Sequence, residues 1–222
     1  MNTSQNENIQ RAGGSFADGL TLTRALLTPL IMIILIKGGW PDNQIALIAS
    51  VLFAIAAITD IFDDMIGGPE NAVHRQFGWF DDIADIVLVV GSLIALSYVI
   101  HKNGFMSAYF SIPAAIIVLR EVIIGFVKGY ELSQKGFPEV RFGTLKNAIC
   151  MLAVCILIAS PWLTTWYDGF RATEENIVEI FNNPSTLIWT IGQVCLWIGA
   201  ILSVITGISL LRNNENKVAN DI

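Results

Sequence analysis

Six aspartates stand among the 27 residues TDIFDDMIGGPENAVHRQFGWFDDIAD, from Thr59 to Asp85. If one helix continues through Asp60, Asp63 and Asp64, their i, i+3, i+4 spacing puts all three on one face. Asp81 and Asp85, four apart, share a face at the start of a following helix, while Asp82 points elsewhere. Gly67, Gly68 and Pro69 supply a turn between the two groups, so the carboxylate faces can meet. Carboxylates converging in this way repel one another unless a cation sits between them. Oxygen-only ligands suit hard divalent ions such as Mg²⁺, Mn²⁺ or Ca²⁺. Ordinary helix-end charge fits Asp81 and Asp82, and is the preferred reading for Asp82 alone, but it fits Asp60, Asp63 and Asp64 badly. These lie at the C-terminal end of their helix, where the dipole disfavours anions.

The elements that must position these groups are apolar. IALIASVLFAIAAI leads into the aspartates and IVLVVGSLIALSYVI leads away from them. Of the 222 residues, 54% are hydrophobic and 14% charged, and the mean hydropathy is +0.60, a mix that a soluble domain does not show. Membrane spans need about 20 apolar residues each, with the backbone satisfied internally. Six such segments are expected, near residues 20–39, 43–62, 79–101, 107–127, 144–166 and 186–211. The fold class is therefore all-α, a polytopic membrane protein of six transmembrane helices. Residues 1–15 form a polar N-terminal tail, 16–212 the six-helix domain and 213–222 a polar, mobile tail. The first fifteen residues lack the apolar core of a secretory signal.

Charge sets orientation. With six spans, Arg11, Arg24, Arg75, Lys128, Lys135, Arg141, Lys146, Arg212 and Lys217 share one side, and Lys37, Lys102 and Arg171 the other. Positive residues stay in the cytoplasm, so both termini and the aspartate-rich loop are expected there, at the inner or cell membrane of a bacterium. The net charge of −6 argues against nucleic acid as a partner. Cys150, Cys155 and Cys195 all fall inside spans, where small apolar packing roles are expected rather than disulfides. The acidic loop YDGFRATEENIVEIFNNPS has room for a short interfacial helix.

The aspartate spacing resembles that of the CDP-alcohol phosphatidyltransferases, whose pattern D-x-x-D-G-x-x-A-R-x8-G-x3-D-x3-D crosses the second and third of six spans. Asp60, Asp63, Asp81 and Asp85 match its four aspartates without insertion or deletion. LTLTRALLTP (Leu20 to Pro29) is similar to the family's N-x-L-T-x-x-R entry to the first span, with Asp18 in the asparagine's place. LREV (Leu119 to Val122) and GTLKN (Gly143 to Asn147) resemble signatures of its phosphatidylglycerophosphate synthase branch. Four positions depart from the pattern. Asp64 stands for the first glycine, Gly67 for the alanine, Gly68 for the arginine and Phe77 for the second glycine.

This resemblance implies a six-helix membrane transferase of phospholipid biosynthesis, commonly a homodimer. Its reaction passes a phosphatidyl group from a CDP-activated lipid such as CDP-diacylglycerol to an alcohol and releases CMP. Asp60, Asp63 and Asp81 would hold Mg²⁺ or Mn²⁺ together with Asp85, and Asp64 is a further candidate ligand. Asp85 would also accept the proton of the attacking hydroxyl. Gly67, Gly68, Arg75, Arg120, Arg141 and Lys146 are the candidate substrate contacts. The positive set Lys128, Lys135, Arg141 and Lys146 suits a phosphorylated acceptor, and equally suits plain positive-inside bias.

Other features have plainer readings. Arg120 and Glu121 sit deep in a span, where lone charges are costly, and are expected to pair with each other or with polar groups on other spans. His74 reads as a loop residue and His101 as a helix-end residue. Gly192, Gly199, Ser203 and Gly207 form a strip for close helix packing within the chain. Trp40, Trp79, Trp162 and Trp166 read as interfacial anchors. Two rival functions use the same aspartates: a relative that has lost catalysis and acts by binding, and a divalent cation transporter.

Overall fold

In a computed structural model the described backbone covers residues 3–66, 78–104, 106–132, 143–171 and 184–220, and the described side chains cover 19–60, 83–104, 106–125, 145–167 and 187–209. All regular structure among them is helical: α1 Thr3–Gly38, α2 Asn43–Ile66, α3 Gly78–Lys102, α4 Ala108–Leu132, α5 Gly143–Arg171 and α6 Pro184–Asn220. Each contains a stretch long and apolar enough to cross a membrane, close to the expected spans: Gly19–Gly38, Asn43–Asp60, Ile83–Lys102, Ala108–Gly125, Leu145–Tyr167 and Leu187–Ser209. Helices α1 and α6 run on through the polar ends of the chain, since adding residues to a formed helix is far easier than nucleating one.

Stripes at helical spacing explain how the bundle closes. On α1, Leu22, Leu26, Leu30 and Ile33 are exposed, while Thr21, Arg24, Thr28, Ile31 and Leu35 are buried. On α2 the buried stripe is Ala46, Ala49, Phe53 and Ala56, and Leu47, Val51, Ile55 and Ile58 face outward. Helix α3 buries Leu88, Ser92, Leu96 and Val99. An outer surface so rich in Leu, Ile and Val is stable only against lipid, and the three- and four-residue steps keep each inner stripe on one side.

Small residues set the helix spacing. A Cβ on Gly91 of α3 would lie 3.0 Å from Met32 Sδ and 3.3 Å from Thr28 Cγ2, so the missing side chain lets α1 and α3 approach closely. The expected small-residue strip of α6 packs inside the chain. Gly192 faces Leu157 and Gly199 faces Cys150 on α5, and the Arg120 side chain of α4 lies over Gly207. The three cysteines are free thiols.

The α1–α2 turn is built around Trp40. Gly39 takes φ +88°, a left-handed conformation that glycine adopts without strain. Asp42 caps α2 by accepting the backbone N–H groups of Gln44 and Ile45 at 3.0 and 3.1 Å. Trp40 itself corrects an expectation: it is 5% exposed, donates its indole N–H to the Ile158 carbonyl at 3.1 Å and lies against Trp189. It is a core residue rather than an interfacial anchor. Trp162 is half-buried and donates to Ser50 Oγ at 2.9 Å, while Trp166 is exposed as expected.

Candidate active site

The inner stripes end in charged groups. On α2 the steps from Ala49 through Phe53 and Ala56 lead next to Asp60, and on α3 the stripe running back from Val99 through Ser92 and Leu88 reaches Asp85. Arg24 lies one turn before Thr28 on the inner face of α1 and its side chain is 0% exposed. Its Nη1 forms an ion pair with Asp60 Oδ1 at 2.9 Å and donates to Asp85 Oδ1. Three helices thus meet at one guanidinium, and the two carboxylates are 16% and 13% exposed. The close approach of α1 to α3 at Gly91 seats Arg24 beside Asp85, and the Thr28 hydroxyl donates to the Arg24 carbonyl at 3.0 Å.

This arrangement brings together two of the four spaced aspartates. Helix α2 continues through Asp63 and Asp64, and α3 includes Asp81 and Asp82, so the helical register assumed from the sequence is present on both sides of the loop. Among the described residues no third Asp, Glu, His or Cys joins Asp60 and Asp85; the side chains of Asp63, Asp64, Asp81 and Asp82 lie outside them. The residues fit a hard divalent cation in one respect. Two carboxylates from different helices converge on a single centre of positive charge, and their oxygens are the donor type such ions take.

A second buried cluster joins α4, α5 and α6. Glu121 is 4% and Lys146 3% exposed. The Glu121 carboxylate accepts from Arg120 Nη1 at 2.9 and 3.0 Å and from Lys146 Nζ. Arg120 also donates from Nε to the Ser203 carbonyl and from Nη2 to Thr206 Oγ1, both at 3.2 Å. The expected pairing of Arg120 with Glu121 is therefore present. Two of the four candidate substrate cations, Arg120 and Lys146, are thus engaged with Glu121. The chain order places this cluster at the same end of the bundle as Asp60 and Asp85. That end is shared by the last turns of α2 and α4, the first turns of α3 and α5, and the later half of α6.

Two charges were misread from the sequence. Arg24 and Lys146, counted with the cytoplasmic charges, lie within the expected spans 20–39 and 144–166 and are buried there, which weakens the bias without reversing it. Arg24 was also not assigned to the site. The available signal was an arginine inside an apolar stretch, flanked by Thr21 and Thr28 at helical spacing, where a charge is costly unless it is paired. Gly67, Gly68, His74, Arg75, Phe77, Arg141 and residues 172–183 of the acidic loop lie outside the described residues, while its first residues, to Arg171, continue α5. His101 sits exposed in the last turn of α3, as expected.

A family model for CDP-alcohol phosphatidyltransferases matches residues 15–205. A CDP-diacylglycerol–glycerol-3-phosphate 3-phosphatidyltransferase of Salmonella choleraesuis is 30% identical over 154 residues, covering 68% of this chain and 80% of the relative. The enzyme of the same name from Rickettsia typhi is 28% identical over 195 residues, covering 87% and 93%. That from Escherichia coli is 29% identical over 153 residues, covering 68% and 80%. The family match takes in the first five spans, most of the sixth, the charged residues of both clusters and the aspartate pattern, and the chain belongs to the CDP-alcohol phosphatidyltransferase family.

Proposed function

We propose that this protein transfers the phosphatidyl group of CDP-diacylglycerol to glycerol 3-phosphate, with Mg²⁺ or Mn²⁺ as cofactor, on the cytoplasmic side of the membrane. The observation that carries the proposal is the convergence of Asp60 and Asp85, from separate helices, on the guanidinium of Arg24. The names of the relatives supply donor and acceptor.

In the reaction, the acceptor's hydroxyl oxygen forms a bond to the phosphorus that carries diacylglycerol, and the bond from that phosphorus to CMP breaks. Asp85 accepts the hydroxyl proton, and CMP leaves with the electron pair of the broken bond. Asp60, with Asp63, Asp81 and Asp85 and with Asp64 as a further ligand, would hold the divalent ion. When bound, that ion supplies neutralisation of the diphosphate as negative charge grows on the leaving group. Phosphoryl-type transfer asks mainly for positioning, and two helices that bring Asp60 and Asp85 to one point suit that demand. Arg120 and Lys146, with Arg75 and Arg141 from the loops and Gly67 and Gly68 giving close backbone approach, would contact substrate phosphates. A net positive charge survives in the Arg120, Glu121 and Lys146 cluster, which suits an acceptor bearing its own phosphate. The protein is expected to act as a homodimer.

The test is CMP release by purified protein in detergent, with CDP-diacylglycerol, Mg²⁺ or Mn²⁺, and glycerol 3-phosphate beside inositol phosphate and serine. Release that requires metal and glycerol 3-phosphate, and is lost in Asp85→Asn and Asp63→Asn, is the expected outcome. Folded protein that binds metal but releases no CMP with any acceptor would refute the proposal. It would instead point to Asp64, Gly68 and Phe77 as marks of another donor or of lost catalysis.

A further inference from the structure

The carboxylates read as metal ligands already face a cation of the chain's own. Arg24 comes from α1, which lies outside the four-aspartate pattern, and is fully buried. One nitrogen, Nη1, pairs with Oδ1 of both carboxylates: it lies 2.9 Å from Asp60 Oδ1 and donates to Asp85 Oδ1. Two carboxylates and a guanidinium leave a net charge of one negative unit. A divalent ion added to this group draws on the same oxygens and is repelled by the arginine.

We infer that Arg24 is the internal counter-cation of the carboxylate site. It holds Asp60 on α2 and Asp85 on α3 together when no divalent ion is bound, and competes with the ion for their oxygens when one is. Two consequences follow. The bundle keeps its aspartates in register before metal and substrate arrive, because two part-buried like charges without a counter-ion would repel one another across α2 and α3. The ion is also held less tightly than the carboxylates alone would hold it, so that it can associate and leave with substrate. Arg24 is thus a positioning residue, and this role rests on the reading of Asp60 and Asp85 as metal ligands.

The test measures Mn²⁺ binding by the full chain in detergent, from the loss of the free-ion electron paramagnetic resonance signal, and thermal stability in EDTA and in saturating Mn²⁺. Arg24→Gln is expected to bind Mn²⁺ about tenfold more tightly, the effect of removing one unit charge several Å away in a solvated dielectric. It should also melt lower than wild type in EDTA and recover more of that loss on adding Mn²⁺. Arg24→Lys, which keeps the charge on a shorter side chain, is expected between the two. An Arg24→Gln protein with wild-type or weaker affinity, and the same melting loss with and without metal, would mark an ordinary structural ion pair and overturn the inference alone. Absence of Mn²⁺ binding by the wild type would overturn the metal reading and the inference together. Should Arg24→Gln fold in neither condition, Arg24→Lys decides: tighter binding than wild type supports the competition, and equal or weaker binding refutes it.

Discussion

Glu121 is the member of the α4–α5–α6 cluster whose loss should be felt most. Its carboxylate is shared by Arg120 and Lys146, and Glu121 and Lys146 are almost wholly buried. Replacing it with glutamine keeps the volume but leaves two like charges in a low-dielectric interior with their common anion gone. Breaking a buried ion pair from one side costs about 3–5 kcal/mol, a large share of a total stability of about 5–15 kcal/mol. Lys146→Met should cost less, because Glu121 retains both bonds from Arg120 Nη1. Combining Glu121→Gln with Lys146→Met in one chain removes the stranded ammonium as well. Arg120 then keeps its bonds to the Ser203 carbonyl and Thr206 hydroxyl. A double-mutant cycle by denaturant or thermal unfolding in detergent should give a coupling of about 2 kcal/mol, well beyond the roughly 0.5 kcal/mol within which independent sites add. Additive single effects would show that Glu121 and Lys146 do not share charge, and would refute the reasoning.

Three further outcomes can be checked. Gly91→Val should force α1 away from α3, because even a Cβ there meets Met32 and Thr28; the resulting shift of Arg24 from Asp85 should lower CMP release by at least about tenfold while the protein stays helical by circular dichroism. Gly199→Ala places a Cβ 2.9 Å from Cys150 Sγ and should cost about 1–3 kcal/mol in an unfolding assay, a loss that Cys150→Ala in the same chain should largely relieve. Asp42→Ala removes the acceptor for two N–H groups at the start of α2 and should destabilise by about 1 kcal/mol, with metal affinity unchanged because this cap lies at the opposite end of the helix from Asp60.

Much of this protein can be read from residue order alone, for one physical reason. In a bilayer the backbone must satisfy itself, so each apolar run of sufficient length becomes a helix, and the six spans appear close to where the hydropathy put them. The aspartate spacing is equally local: Asp60, Asp63 and Asp64, then Asp81 and Asp85, lie within single helices whose period is known in advance. Contacts between helices were not accessible in this way. That Arg24 reaches from α1 to Asp60 and Asp85, that Glu121 takes a bond from Lys146 on the next helix, and that Trp40 is buried against Ile158 and Trp189 all depend on which helices pack together and at what depth. Counting charges by segment assigned Arg24 and Lys146 to the membrane surface, because a charge near a span end looks the same in sequence whether it meets water or a buried carboxylate. Only the packing of the helices, with Gly91 allowing α1 against α3, decided that these cations belong inside.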